Sequence, residues 1–449
     1  MRNRILQQLP LVESAIKHEH ARELQQITAL LAGRSEILGL LHADLVRGLR
    51  DPKAGRKGMM SADQVLKVLV IKQMNGFSYR VLAYHLEDSR TYRAFCGFGI
   101  ADDIPSASTL QRDVKMIRPE TLEAINRVMI GIASDKKIEN GRKVRVDCTV
   151  VESNIHHPTD STLLEDGVRV LCRLTQGAVK SFGATVSDHR RRARKRALGI
   201  LNAKRNKARV KLYRDLLKIT RKTVGDAERV ADELTHAAPT DWITAVAITA
   251  ELRRFIPLVR RVIDQAERRV LKGETVPSAE KLVSIFEPHA DVIVKDRRET
   301  YFGHKVVLTG GASGLLTDLV VEKGNPADSI LAEKMIARQK EIYGRAPRQA
   351  AFDGGFASRD NLKKIKAHGV QDVAFHKKRG LKVADMAKST WVYKRLRDFR
   401  AGIEGMISFL KRCFGLGRCD WRGFESFKAY AWSSVLAANL LLMARRMIV

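Results

Sequence analysis

The sequence predicts a multidomain α+β protein: an α/β core, an all-helical region before it, and a basic helical insertion between the first and second core strands. Three observations carry this prediction. Apolar positions recur with a helical period through residues 1–135. The period drops to two at GRKVRVDCTVVESN, and from residue 285 onward strand-like runs alternate with helical ones. Between these lies a helical block, residues 176–284, dense in Lys and Arg. The core is thus expected over 136–175 and 285–449.

In order, SADQVLKVLVIKQMNG opens on Ser61, a good helix N-cap, and closes on Gly76, a good C-terminal stop. Short helices follow in YRVLAYHLEDS and RTYRAFCGFG, and Ser106 or Ser108 caps the next. Short helices on tight turns carrying Arg90, Arg93, Arg112, Lys115 and Arg118 suit a helix-turn-helix-like DNA-binding module, and equally suit ordinary all-α packing. In the first strand, Val144, Val146, Cys148 and Val150 share one face, and Arg145, Asp147, Thr149 and Val151 share the other. The basic block reads as a helix with a thin apolar stripe (Leu198, Leu201, Leu212, Leu216, Ile219), then a second long helix that Pro257 is expected to kink or break. Past 285, YFGHKVVLTGGASGLLTDLVVEKG reads as a hairpin. Then come a helix (ADSILAEKMIARQKEIYG, with Asn325 and Asp328 as caps), a strand (RQAAFDGG), a helix (SRDNLKKIKAHG), a strand (VQDVAFHKK) and a long helix (RDFRAGIEGMISFLKRCFG). The apolar C-terminal run AYAWSSVLAANLLLMARRMIV, interrupted by Ser433, Ser434 and Asn439, reads as a buried helix too short to span a bilayer.

Charge narrows the partner. Lys+Arg 81 against Asp+Glu 50 gives a net charge of +31, which favours a polyanion, nucleic acid first. No membrane partner is expected. Five scattered cysteines without a CxxC pair argue against a disulfide framework or a zinc cluster and fit a reducing cytosol. The N-terminal residues lack the pattern of a signal peptide.

Three acids stand out. Asp147 lies mid-strand, Asp353 ends an apolar strand just before Gly354 and Gly355, and Glu404 lies on the last long helix. Each also has a plain structural reading: an edge-strand acid facing water, a turn starter, and an i,i+4 partner of Arg400. A carboxylate inside a strand, as at Asp147, needs a partner or a metal if it is buried.

The stretches LVIKQMNGFSYRVLAYHLEDSRTYRAFCGFG, SASTLQRDVKMI, VDCTVVESNIHHPTDSTLL, SIFEPHADVIVKD, FGHKVVL, AFDGGFASRDNL and RAGIEGMISFLKRCFGLGR resemble bacterial insertion-sequence transposases of the DDE type, closest to the group labelled ISNCY. The resemblance implies an RNase H-like catalytic core in which Asp147, Asp353 and Glu404 are the catalytic, metal-binding acids, with Mg²⁺ as cofactor and Mn²⁺ able to substitute. It implies double-stranded DNA as partner, both element ends and target, a homodimer assembled on DNA, and residence in the bacterial cytoplasm. The implied reaction is cleavage at the terminal inverted repeats and joining of the 3′-hydroxyl to target DNA. A catalytically silent DNA-binding derivative and a nuclease without strand transfer are the alternatives. Arg400, Glu404 and Lys411 fit the R(3)E(6)K spacing of related families, which implies Arg400 and Lys411 as cations for DNA phosphate on the polar face of the helix, although the Tyr common three residues before the Arg is Arg397 here. Further DNA contacts are expected from Arg112, from Lys305 on the hairpin, and from Arg190, Arg191, Arg192, Arg194, Lys195 and Arg196 in the insertion. One departure is plain: 206 residues separate Asp147 from Asp353 (353−147) and 51 separate Asp353 from Glu404 (404−353). The long insertion therefore precedes the second Asp, whereas better-known relatives carry theirs after it.

Overall fold

The computed structural model describes residues 16–48, 59–99, 101–183, 186–235, 242–295 and 299–448; residues 1–15 and 49–58 of the predicted N-terminal region lie outside it. One six-stranded mixed sheet organises the core. Its strands are β1 (Lys143–Glu152), β2 (Asp291–Lys295), β3 (Glu299–Gly311), β4 (Leu316–Val321), β5 (Gln349–Phe352) and β6 (Asp372–Phe375), ordered β2–β3–β1–β5–β6, with β4 also paired to β3. The tight turn between β3 and β4 makes that pair antiparallel, whereas β5 and β6 return through helices and run parallel to β1. Edge strand β2 was not anticipated; it is five residues long and contains two charged residues, which weakens its period-two signal.

The sheet is covered on both faces. Val144, Val146 and Val307 pack with Met335 and Ile336 of helix Ala332–Tyr343. Val151, Val306 and Leu308 pack on the other side with Ile403 and Leu410 of helix Thr390–Cys413 and with the C-terminal helix Phe424–Ile448. This second core continues without a break into the N-terminal helices, through Leu66, Leu69, Ile125 and Met129. The predicted N-terminal helices are present, with Ser61 and Gln64 forming a capping box, Gly76 at φ 63° and Ser106 capping Ala107–Lys115. They are built onto the six-stranded sheet, however, and share its core.

The C-terminal helix explains that union. At 25 residues it is long and apolar enough to cross a bilayer, contrary to the sequence expectation, but 89% of its most apolar window is buried inside the protein. Its interrupting polar residues are internal bonds. Asn439 Oδ1 accepts from Leu316 N at 2.9 Å, and its Nδ2 donates to Asn126 Oδ1 at 2.9 Å and to Leu316 O at 2.8 Å. Asn439→Ala removes three buried hydrogen bonds at the junction of helix, hairpin and N-terminal bundle. It is expected to destabilise the fold by about 2–4 kcal/mol, read as a fall in denaturation midpoint with unchanged denaturant slope.

The insertion has its own core. Helices Asp160–Phe182, Arg190–Asn202, Asn206–Thr235 and Trp242–Ala266 pack through Leu164, Leu171, Leu216, Phe255 and Val259. The expected boundary at residue 176 falls inside the first of these helices, whose side chains from Leu163 onward face the insertion. Leu198 and Leu201 are exposed, at 50% and 56%. The chain breaks between Asn202 and Asn206, so Arg190–Asn202 packs in its own phase through Ala193, Ala197 and Ile200. Pro257 does not end its helix, which runs on from Trp242 to Ala266; it sits on the exposed side, while Phe255, Ile256 and Val259 are buried.

Candidate active site

Strand register brings two of the three acids together. Val146 of β1 is paired with Phe352 of β5, and the two strands are parallel. The next residue on each is therefore Asp147 and Asp353, side by side at the same level of the sheet. Glu404 arrives on helix Thr390–Cys413, which is seated on β1 by Arg145. Arg145 Nη1 donates to Phe399 O at 2.9 Å, and the guanidinium lies 4.6 Å from the Phe399 ring. Gly402 makes this crossing possible, because a Cβ there would meet Arg145 Nη1 at 2.0 Å.

The focus of the site is Arg400. Its Nη2 donates to Asp147 Oδ2 at 2.8 Å and lies 3.2 Å from Asp353 Oδ1, and its Nη1 donates to Glu404 Oε1 at 2.6 Å. The expected i,i+4 pair of Arg400 and Glu404 exists, but the same guanidinium holds all three acids. Arg400 is buried, where an outward-facing polar position was expected, and its Nε has no partner among the described residues. Asp353 does open the 3-10 turn Gly354–Phe356, its carbonyl accepting from Phe356 N at 3.2 Å, but its side chain makes no capping bond there and turns to Arg400 instead. Nor do the two glycines serve a left-handed turn. A Cβ on Gly354 would strike Lys377, and one on Gly355 would come within 2.6 Å of an Asp328 carboxylate oxygen.

Burial grades the three carboxylates. The Asp147 side chain is 12% exposed, Asp353 39% and Glu404 63%. Burial pushes the Asp147 carboxyl up to about 6, against the opposing pull of Arg400 and of the Cys148 N–H; the carboxylates of Asp353 and Glu404 push it further up. Three hard oxygen donors graded from buried to open suit a divalent cation that also meets substrate and water. As they stand, the described residues hold no closed set of three metal-ligating side chains. The guanidinium lies among the acids, a cation at the point where a metal would bring them together.

The remaining predicted contacts divide. Lys411 lies seven residues beyond Glu404 on the same helix, hence on nearly the same face. Lys305 is engaged internally: its Nζ donates to Pro326 O at 2.6 Å and Asp328 Oδ1 at 2.8 Å, so it braces the loop under Gly355 and is removed from the set of candidate DNA contacts. Asp328 correspondingly does not cap the helix that follows. Arg112 is 62% exposed beside Asp113. Arg93 donates to Gly99 O, and Arg118, itself exposed, pairs with the buried Asp44. In the insertion, Arg190 pairs with Asp188, and Arg192 and Arg196 pair with Asp215. Arg191, Arg194 and Lys195 face outward on the same helix.

Residues 289–440 match a family model described as Transposase DDE domain, and residues 12–115 match one described as Transposase domain (DUF772). No curated protein and no solved structure matches the chain. Asp353 and Glu404 fall within the first matched segment; Asp147 precedes it and is tied to them by register and by Arg400.

Proposed function

The chain is an insertion-sequence DDE transposase by family, and on that premise we propose that it binds the terminal inverted repeats of its element, cleaves at the ends and joins the freed 3′-hydroxyl to target DNA. The observation that supports this reading best is the convergence of Asp147, Asp353 and Glu404, from two strands and a helix, on one buried guanidinium. Those three acids would hold Mg²⁺ or Mn²⁺, which supplies charge stabilisation at the oxygens of the reacting phosphate. Asp147, the most buried, anchors the set, and Glu404 on the open side of the helix faces incoming DNA. Arg400 keeps the carboxylates gathered, and Lys411 offers a second cation to the phosphate backbone. The sheet and its covering helices are read as an RNase H-like core, residues 16–135 as the end-reading region with Arg112 exposed, and residues 160–285 as a basic arm along the duplex. In cleavage, a water oxygen bonds to phosphorus as the bond to the 3′-oxygen breaks. In joining, that 3′-hydroxyl attacks a target phosphodiester and releases one target 3′-oxygen. Two protomers pairing two ends would complete the complex.

The deciding experiment supplies a pre-cut end, taken from DNA flanking the coding region, with target plasmid and Mg²⁺. Joined product supports the reading. Cutting without joining reduces the protein to a nuclease, and binding without either makes it a silent DNA-binding derivative.

The basic arm has its own test. Arg191, Arg194 and Lys195 carry the outward charge, since their neighbours are already paired. Changing these three to Gln is expected to flatten the log–log salt dependence of duplex binding by up to about 2.7, at ~0.9 per phosphate neutralised, equally for end and scrambled DNA. An unchanged slope would mean a solvated face.

A further inference from the structure

A cleft of about 660 Å³ opens where the insertion meets the catalytic sheet. Three separate parts of the chain wall it: the insertion helices through Arg169, Arg173 and Arg254, the segment leading into β2 through Phe286 and His289, and the turn before the C-terminal helix through Arg422. Four guanidinium groups therefore face one space, against the carboxylates of Glu251 and Glu287. Glu287 is already used internally. Its Oε2 accepts from Gly423 N at 2.9 Å and lies 2.7 Å from His289 Nε2, and His289 Nδ1 lies 2.7 Å from Nε2 of the fully buried His304. This chain fixes the wall of the cleft to β3. Two of the arginines are already engaged: Arg169 pairs with Asp166 and lies 5.4 Å from the centre of the Phe286 ring, and Arg254 lies 3.4 Å from Glu251 and 5.1 Å from the centre of the Phe255 ring. Among the described residues Arg173 and Arg422 make no hydrogen bond, and both are exposed.

Convergent guanidinium forks, part of them preoriented, match the geometry of phosphate oxygens better than point charges do. The cleft also lies within reach of the acids. His304 is four residues along β3 from Leu308, the register partner of Asp147, or about 13 Å at ~3.3 Å per residue. A duplex held at the acids would carry backbone phosphates to the cleft within a few base pairs. We propose that this junction cleft binds a backbone phosphate of the same DNA whose scissile phosphate lies at the acids, with Arg173 and Arg422 as its principal contacts. The inference rests on the proposed transposase reading and adds to it a second, fixed point of DNA attachment.

The test uses the full chain and a duplex of the element's flanking DNA. The double variant Arg173→Gln/Arg422→Gln is expected to lower the salt slope of binding by about 0.9, the value for one phosphate. Arg173→Lys/Arg422→Lys should restore most of that slope, since it keeps the charge. In the unaltered protein, an arginine-specific reagent should modify both residues without DNA and spare them in the saturated complex, a readout that does not depend on a variant folding. Binding by the unaltered protein with an unchanged slope in the Gln variant, or modification undiminished by DNA, overturns the cleft assignment alone. Failure of the unaltered protein to bind duplex at all overturns the DNA reading itself.

Discussion

Asp147→Asn is expected to cut DNA cleavage roughly 10³-fold or more while raising the melting temperature of the metal-free protein at pH 8. The two effects have one cause. Burial lifts the folded-state carboxyl from 3.8 to about 6, so the folded protein prefers Asp147 protonated. The sign follows from linkage. Stability from this group is fully present below 3.8, is lost as pH rises through about 6, and stays lost at pH 8. The interval corresponds to about 3 kcal/mol at most. An asparagine is neutral at every pH and avoids that cost, though Arg400 then keeps only Asp353 and Glu404. A net gain of about 1–2 kcal/mol at pH 8, vanishing near pH 4, is the expected balance. The measurement is thermal denaturation of both proteins in chelator at the two pH values, beside cleavage in Mg²⁺ and duplex binding. Asp353→Asn and Glu404→Gln should lose cleavage as fully. Binding should persist in all three, because phosphate affinity resides mainly in Lys and Arg. A variant that cleaves normally does not belong to the trio. If Asp147→Asn is less stable than the unaltered protein at pH 8, its carboxylate is a structural ion-pair partner and not a group kept charged for function.

How far the sequence foretold this site depends on what kind of signal each residue sends. Asp147 was legible as an acid in the middle of an alternating strand, Asp353 as one that ends an apolar run before two glycines, and Glu404 because helix and spacing agreed with the resemblance. Their proximity was foretold only through the resemblance, since register between β1 and β5 is set by helices that the pattern places only roughly. Charge was legible as composition and misleading as detail. Of six consecutive-looking cations at 190–196, three are paired to Asp188 and Asp215, one of them 19 residues away. The glycines carried the least readable message. Gly354, Gly355 and Gly402 each mark a neighbour's close approach, which only a folded neighbour reveals. The union of the N-terminal helices with the C-terminal helix was hidden for the same reason: Gln73 reaches Ser434 across 361 residues of chain.

Arg400→Gln is the substitution expected to disturb the metal-free protein most. It removes the one cation that three carboxylates share and leaves buried Asp147 facing two like charges. Removing one partner of a buried ion pair costs about 3–5 kcal/mol, and protonation of Asp147 is the available relief. The loss should therefore be large at pH 8 and much smaller near pH 5, where that carboxyl takes up its proton. Arg400→Lys keeps one charge but not the fork that reaches both Asp147 and Glu404, so it should fall between. A divalent cation provides the discriminating readout. If the acids form a metal site, Mg²⁺ can replace the lost guanidinium, and stabilisation by a bound ion grows as RT ln(1 + [L]/Kd). Millimolar Mg²⁺ should then raise the melting temperature of Arg400→Gln clearly more than that of the unaltered protein, in which the guanidinium and the ion compete for the same oxygens. Na⁺ at equal ionic strength should not. Equal shifts in both proteins would mean that Arg400 does not stand where the metal binds. A variant that stays destabilised in Mg²⁺ would mean that the three acids were gathered to hold an arginine, and the catalytic centre would have to be sought elsewhere in the chain.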